Sequence, residues 1–196
     1  MTLHQLYEVF KNSVIAHPYI NTFCVINEPN DITIDNLKKT IHDKYKPFFY
    51  SKLWAESLYG PDDVSWLSPA LFVYEKPFTV KGLFSGQDKI EYKLELLLLM
   101  DDHIHQTTTG LKTDGQLLEP AEIFRRTTLY LLDILNFTHS AYTKIRDLNR
   151  EVAVSQWESS GMKLKGVSAD ITFVEICPPR QKYWEGVYVV PEEPSN

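Results

Sequence analysis

The chain is poor in the features that mark secreted, membrane-spanning, nucleotide-binding or nucleic-acid-gripping proteins. It has two cysteines, Cys24 and Cys177, in 196 residues, each set in an apolar run (FCVI and EICPP). A disulfide framework calls for an even set at local spacings, so two reduced, packed thiols are expected. No C-x-x-C pair offers a zinc site, and no apolar run reaches the ~18 residues of a transmembrane helix. The N-terminal MTLHQLYEVFKNSV carries Glu8 and lacks the basic-then-apolar order of a secretory leader, so none is expected. Basic charge is scarce too: 20 Lys and Arg stand against 26 Asp and Glu, a net charge of −6. That balance argues against a surface built to grip phosphates, though not against DNA passing nearby. The phosphate loop G-x-x-x-x-G-K-[ST] and the nucleophile elbow G-x-S-x-G are both missing, as are internal repeats and low-complexity tracts.

What is present is an ordinary folding composition, 43% hydrophobic and 23% charged, enriched to 13% in aromatics. One core of this length buries roughly 70% of the unfolded chain's surface, so residues 1–196 are expected to form a single domain. Aromatic enrichment favours an associating protein, because aromatic side chains dominate interfaces as well as cores.

Leu3, Leu6, Tyr7, Phe10 and Val14 recur at helical spacing behind a possible Thr2 cap, and His17-Pro18 closes that helix. Thr22–Ile26 are β-prone. Residues 33–44 carry Ile34, Leu37 and Ile41 at helical spacing. Residues 46–69 mix three prolines with Phe48, Phe49, Tyr50, Trp54, Tyr59 and Trp66, which suits a packed insertion or an interface arm. Residues 78–84 alternate through Phe78, Val80, Gly82 and Phe84, a Gly-containing turn follows, and residues 90–100 alternate through Ile90, Tyr92, Leu94, Leu96, Leu98 and Met100. From Leu96 both parities are apolar, so that end of the strand should be buried on both sides. Residues 101–118 read as a polar surface loop. Glu119-Pro120 then opens a long helix with Ile123, Thr127, Tyr130, Leu131, Ile134 and Leu135 inward, ending across Asn136–Ser140. A second hairpin spans 151–157 and 162–176, with a parity shift at Gly166 that suits a β-bulge. The tail from about 185 is polar and is expected to fray. The fold class is therefore α+β: a mainly antiparallel sheet with two long hairpins, packed by an N-terminal helix and a long central helix.

Residues able to carry chemistry are few. Pro61-Asp62 followed by Glu91-Tyr92-Lys93 matches the loose PD…(D/E)xK pattern of Mg²⁺-dependent nucleases, which need two acidic ligands and a lysine. Glu91, Lys93 and Glu95 read equally as the solvated face of an alternating strand. Asp101, His103 and His105 form a polar strand end without a distant ligand. Arg125-Arg126 reads as surface charge. No catalytic residue, metal or cofactor is expected. Trp54, Tyr59, Trp66, Phe84, Tyr183 and Trp184 are the interface candidates, since acidic net charge disfavours base stacking by such aromatics.

Four segments together are similar to tail-terminator or neck proteins of tailed bacteriophages, of the crAss-like and Bacteroidetes-infecting type. They are the N-terminal helix closed by AHPYINTF, the approach LSPALFVYEKPF, the hairpin ending in LELLLLMDD, and the long helix followed by a hairpin whose last strand is KLKGVSADITFVEICPP. The resemblance covers about two thirds of the chain, with 28–68 the main departure. It implies a virion protein assembled in the host bacterial cytoplasm. It further implies a ring of six or more copies, apposed to neighbouring neck, portal or tail proteins, with DNA passing through unbound and no membrane. The alternatives from other classes are the Mg²⁺-dependent nuclease and a small cellular protein-binding module.

Overall fold

A computed structural model describes residues 2–26, 48–52, 68–81, 89–101, 107–108, 111–112, 118–141, 152–158 and 164–176. Helix α1 (Leu3–Ala16) starts in a capping box: the Thr2 hydroxyl accepts from the Gln5 amide while Gln5 Oε1 accepts from the Thr2 amide at 2.9 Å. The Glu175 carboxylate accepts the Leu3 N–H at 3.3 Å, setting negative charge at the positive end of the helix dipole. Leu6, Tyr7, Phe10, Ser13 and Val14 form the buried stripe. His17 is extended at the C-cap, as the following Pro18 requires.

Strands β1 (Thr22–Ile26), β2 (Phe49–Ser51), β3 (Ala70–Lys81), β4 (Lys89–Asp101), β7 (Val154–Glu158) and β8 (Leu164–Ile176) make one sheet in the order β2-β1-β3-β4-β8-β7. Every neighbouring pair is antiparallel except β1 with β3, which run parallel from Thr22 opposite Ala70 to Ile26 opposite Tyr74. Two short strands, β5 (Thr107–Thr108) and β6 (Leu111–Lys112), pair separately inside the stretch expected to be loop. Helix α2 (Pro120–Ala141) runs to the far side of its expected end, and the buried hydroxyls of Thr127 and Thr138 are satisfied by donating to the carbonyls of Ile123 and Ile134 at 2.8 and 2.7 Å.

Both helices lie on one face of the sheet. α1 packs over β1, and α2 over β8 and β4. Between them is the core of Leu6, Phe10, Phe23, Leu71, Leu94, Leu96, Leu131, Ile134, Ile171 and Phe173. The rows follow the register: Phe23, Leu71, Leu98 and Val167 form one line, and Val25, Val73, Leu96 and Ala169 the next. On the opposite face Cys24, Phe72, Leu97 and Leu99 are also fully buried. The expectation of two-sided burial from Leu96 onward therefore holds. The free thiol of Cys24 is pushed up to about 12 by that burial, which leaves it inert. Farther along, this face turns polar: the Lys76 ammonium lies 3.2 Å from Glu95 and 2.6 Å from Asp170, linking β3, β4 and β8.

Three further details differ from the expectation. β3 begins at Ala70 rather than at Phe78. Pro77, which masks the strand in sequence, sits where the register shifts between Lys76 and Thr79, beyond the reach of β1, so its missing N–H breaks no ladder bond. Residues 49–51 of the supposed insertion form an edge strand of the main sheet. And β8 pairs with β4 without interruption past Gly166; Leu164 faces away from Val167 because this end of the sheet is apolar on both sides. The glycine answers a different need: a Cβ there would stand 2.0 Å from the Leu98 carbonyl oxygen. The helix expected at 33–44 and the frayed tail from 185 fall outside the described residues. Gly166→Ala is expected to cost about 3 kcal/mol in urea unfolding, against under about 0.5 kcal/mol for Ser155→Ala on exposed β7.

Candidate functional site

The end of α1 is held by a dense set of polar contacts. Nδ1 of His17 accepts the amides of Tyr19 and Ile20, each at 3.2 Å, which places the ring proton on Nε2. Nε2 faces the Asp133 carboxylate of α2 at 3.5 Å. The His17 carbonyl accepts from the Lys52 ammonium. Asn21 extends the corner: its amide donates to the Pro69 carbonyl at 2.8 Å, its side-chain amide to the Ser68 carbonyl at 2.5 Å, and its own carbonyl accepts from Lys52 N–H at 2.8 Å. The Ser68 hydroxyl in turn accepts the Asp101 amide at 2.8 Å. The start of β1, the end of β2 and the start of β3 are thus tied to one helix terminus.

This corner shapes an apolar groove of about 510 Å³ between the end of α1 and the outer side of α2, lined by Ala16, Tyr19, Leu129, Tyr130, Asp133 and Phe137 among others. Tyr19 and Tyr130 stack with centroids 5.6 Å apart and planes 18° from parallel, and the His17 ring meets Tyr130 edge-on at 5.2 Å. Burial raises the Tyr130 hydroxyl above its ordinary value. Burial also lowers His17 below its ordinary value, more than Asp133 restores it, with Lys52 adding to the lowering. The imidazole is therefore neutral near pH 7. Among the described lining residues, Asp133 alone carries a formal charge.

The chemistry open to this arrangement is recognition. A general base needs a free lone pair within reach of a substrate proton, yet Nδ1 of His17 already accepts two amides and Nε2 carries the proton toward Asp133. What the groove offers outward is aromatic and aliphatic surface with one carboxylate at the rim, the composition of a contact pocket rather than an acid–base centre.

The residues singled out from sequence fare differently. Trp54, Tyr59, Trp66, Phe84, Tyr183 and Trp184 all lie outside the described residues, as do Asp62, His103 and His105. Glu91 and Lys93 stand on β4, where Glu91 pairs with Lys81 at 2.5 Å and is largely buried while Lys93 is exposed, so the solvated strand face expected from the alternation fits Lys93 and not Glu91. Arg125 and Arg126 both bind Glu122, at 2.7 and 2.6 Å, and that carboxyl is held at about 2, first by Arg125 and then by Arg126. Among the described residues no three His, Cys, Asp or Glu side chains converge as a metal site would need.

The groove itself escaped the sequence reading, because Tyr130 was assigned to the inner stripe of α2 and His17 served only as a helix stop. The available signal was Leu129 and Phe137, apolar residues of α2 that fall off its buried stripe. No protein-family model and no curated protein matches the chain.

The His17 shift has a stability consequence. Its folded pKa lies below the ordinary 6.5, so the folded chain holds fewer protons than the unfolded chain between those two values. The contribution is complete above 6.5, falls as pH drops through that window, and is lost below the folded pKa. Thermal unfolding between pH 7.5 and pH 5 should show a drop in Tm for the wild type and a shallower one for His17→Asn.

Proposed function

We propose that this chain is a structural subunit of an oligomeric ring at the neck or tail terminus of a tailed-bacteriophage virion, without catalytic chemistry of its own. The observation that carries the reading is the reach of the central strand pair. β3 is buried from Ala70 to Val73 and largely exposed from Glu75 to Lys81, and Phe78 near that end is 60% exposed. A ribbon that leaves its own core and carries an aromatic side chain into solvent is suited to contact a neighbour.

Three further points support the reading. The four segments that carry the resemblance fold as α1, the entry into β3, the β3–β4 pair, and α2 with β7 and β8. A domain of this length has a radius of gyration of about 16 Å, so several copies side by side leave room for a duplex between them. The net charge of −6 suits a lumen through which DNA slides without being held. In this reading the partners are further copies of the chain and the adjoining neck, portal or tail proteins, and the interface candidates Trp54, Tyr59, Trp66, Phe84, Tyr183 and Trp184 contribute to those contacts.

Negative-stain electron microscopy of the purified protein tests this. Closed rings with an opening wide enough for duplex DNA are the expected result. A protein that forms no ring at any concentration and cleaves DNA with Mg²⁺, losing that activity on Lys93→Ala, would overturn the proposal in favour of a nuclease.

A further inference from the structure

The main sheet has two outer strands, and they are not equivalent. β2 is three residues long. β7 pairs with β8 on one side, and among the described residues no strand lies on its other side. An open edge offers unpaired N–H and C=O groups to any extended chain, so natural edges are blunted by lysine, proline, a bulge or brevity. Where β3 runs on past β1 it has three of these: Lys76, Pro77 and the register shift beside them. β7 has none. Its residues are Val-Ser-Gln-Trp-Glu, four of them exposed, and its one charge, Glu158, faces Lys165 of β8 at 3.7 Å.

Beside this edge runs a groove of about 520 Å³. Val154 and Gln156 line it from β7, and Phe124, Arg125, Thr128 and Leu129 from α2. Val154 and Gln156 stand opposite Ala169 and Val167, which belong to the core under the helices. A strand added to β7 would turn alternate side chains toward this groove, so that main-chain bonds hold it and the groove selects it.

The chain carries a segment suited to that place. Outside the described residues, Val187-Tyr188-Val189-Val190 is the longest run of β-branched and aromatic residues. Either register of this run turns two large, mainly apolar side chains toward the groove. The run follows Pro178-Pro179 in the stretch that leaves β8 at Ile176. Cys177, before a proline, avoids the helical region, and a proline pair favours an extended path, so the chain is expected to continue outward there rather than reverse. Ala169, the residue nearest that exit at which β8 pairs with β7, lies about 23 Å back along the strand. Going out over residues 177–180 and returning to Ala169 would use about 14 residues of extended chain, past Val190. Going outward, residues 177–186 span up to about 33 Å, roughly twice the domain's radius of gyration. That reach suits the edge of a neighbour and not the segment's own.

We infer that the β7 edge receives residues 187–190 of a second copy of this chain as an added strand, each copy giving its C-terminal segment to the next. This rests on the ring reading above and names two unlike surfaces that would build the ring.

Two double variants of the full chain test it. Val187→Pro with Val189→Pro removes two N–H donors from the arriving segment. Val154→Lys with Gln156→Lys guards the receiving edge with charge. Val154 and Gln156 are exposed, so thermal unfolding of the edge variant should match the wild type and verifies its folding. By sedimentation velocity the wild type should form multimers, and each variant alone should associate at least about tenfold more weakly. Mixed together, each variant retains the half the other lacks, so a 1:1 dimer of the 22.8 kDa chains should appear and nothing larger. Variants that assemble like the wild type, or a mixture that stays monomeric, would overturn the inference. So would a monomeric wild type, including one whose Tm falls on the proline changes because the segment pairs within its own chain. Rings untouched by either pair of changes would sink this contact and leave the ring reading standing. Open head-to-tail chains that never close would keep the contact and sink the ring.

Discussion

The structure depends on the pairing of β4 with β3 on one side and β8 on the other, through a stretch that is buried on both faces. Leu96 to Met100 are all buried, and β4 pairs with β8 over thirteen consecutive positions, from Lys89 opposite Ile176 to Asp101 opposite Leu164. A strand that is apolar on both faces has to lie in the middle of a sheet with cover on each side. The helix layer supplies that cover on one face, through Leu6, Phe10, Leu131 and Ile134. The close fit of β8 against Leu98 and Leu99 follows from the same pairing and leaves no room for a side chain at residue 166.

The same pairing explains why the ribbon projects. β1 is five residues long and β7 pairs with β8 only from Ala169 to Lys165, so the sheet is six strands wide at one end and three at the other. Beyond the flanking strands, β3, β4 and β8 continue as a narrow ribbon in which Leu94, Ile171 and Phe173 stay buried while Phe78 and Val80 on β3 are exposed. At the wide end the helix termini and strand starts converge on His17, Asn21 and Ser68, whose polar contacts satisfy backbone groups that the turn would otherwise leave unpaired. With those groups satisfied among themselves, the surface they support is aromatic and aliphatic. A wide polar-stapled end with an apolar groove and a narrow end with an exposed phenylalanine are thus two outcomes of one uneven sheet.

Much of this was legible in the sequence, and the exceptions have physical reasons. α1 could be read from cap to stop, because Thr2, the Leu6-Tyr7-Phe10-Val14 stripe and Pro18 are all local signals. The inner end of β4 was readable because loss of alternation is itself a burial signal. The start of β3 was hidden by Pro69 and Pro77, and only the pairing partners reveal that neither proline interrupts a needed hydrogen bond. The parallel contact of β1 with β3 joins residues far apart in the chain, which no local pattern encodes. The groove was hidden for a similar reason: Tyr19 and Phe137 are unremarkable in sequence and become a surface only when α1 and α2 are laid side by side. The aromatic residues that stood out most in sequence, such as Trp54 and Tyr183, lie outside the described part of the fold.

The proposed ring would join copies of the chain through unlike surfaces, the kind of contact that can close. The most direct measurement is an electron cryo-microscopy reconstruction of the assembled protein at a resolution that separates strands. The expected result is a closed ring in which each copy meets the next through two different surfaces. A two-fold contact between identical surfaces, such as β7 edges pairing with each other, would contradict it.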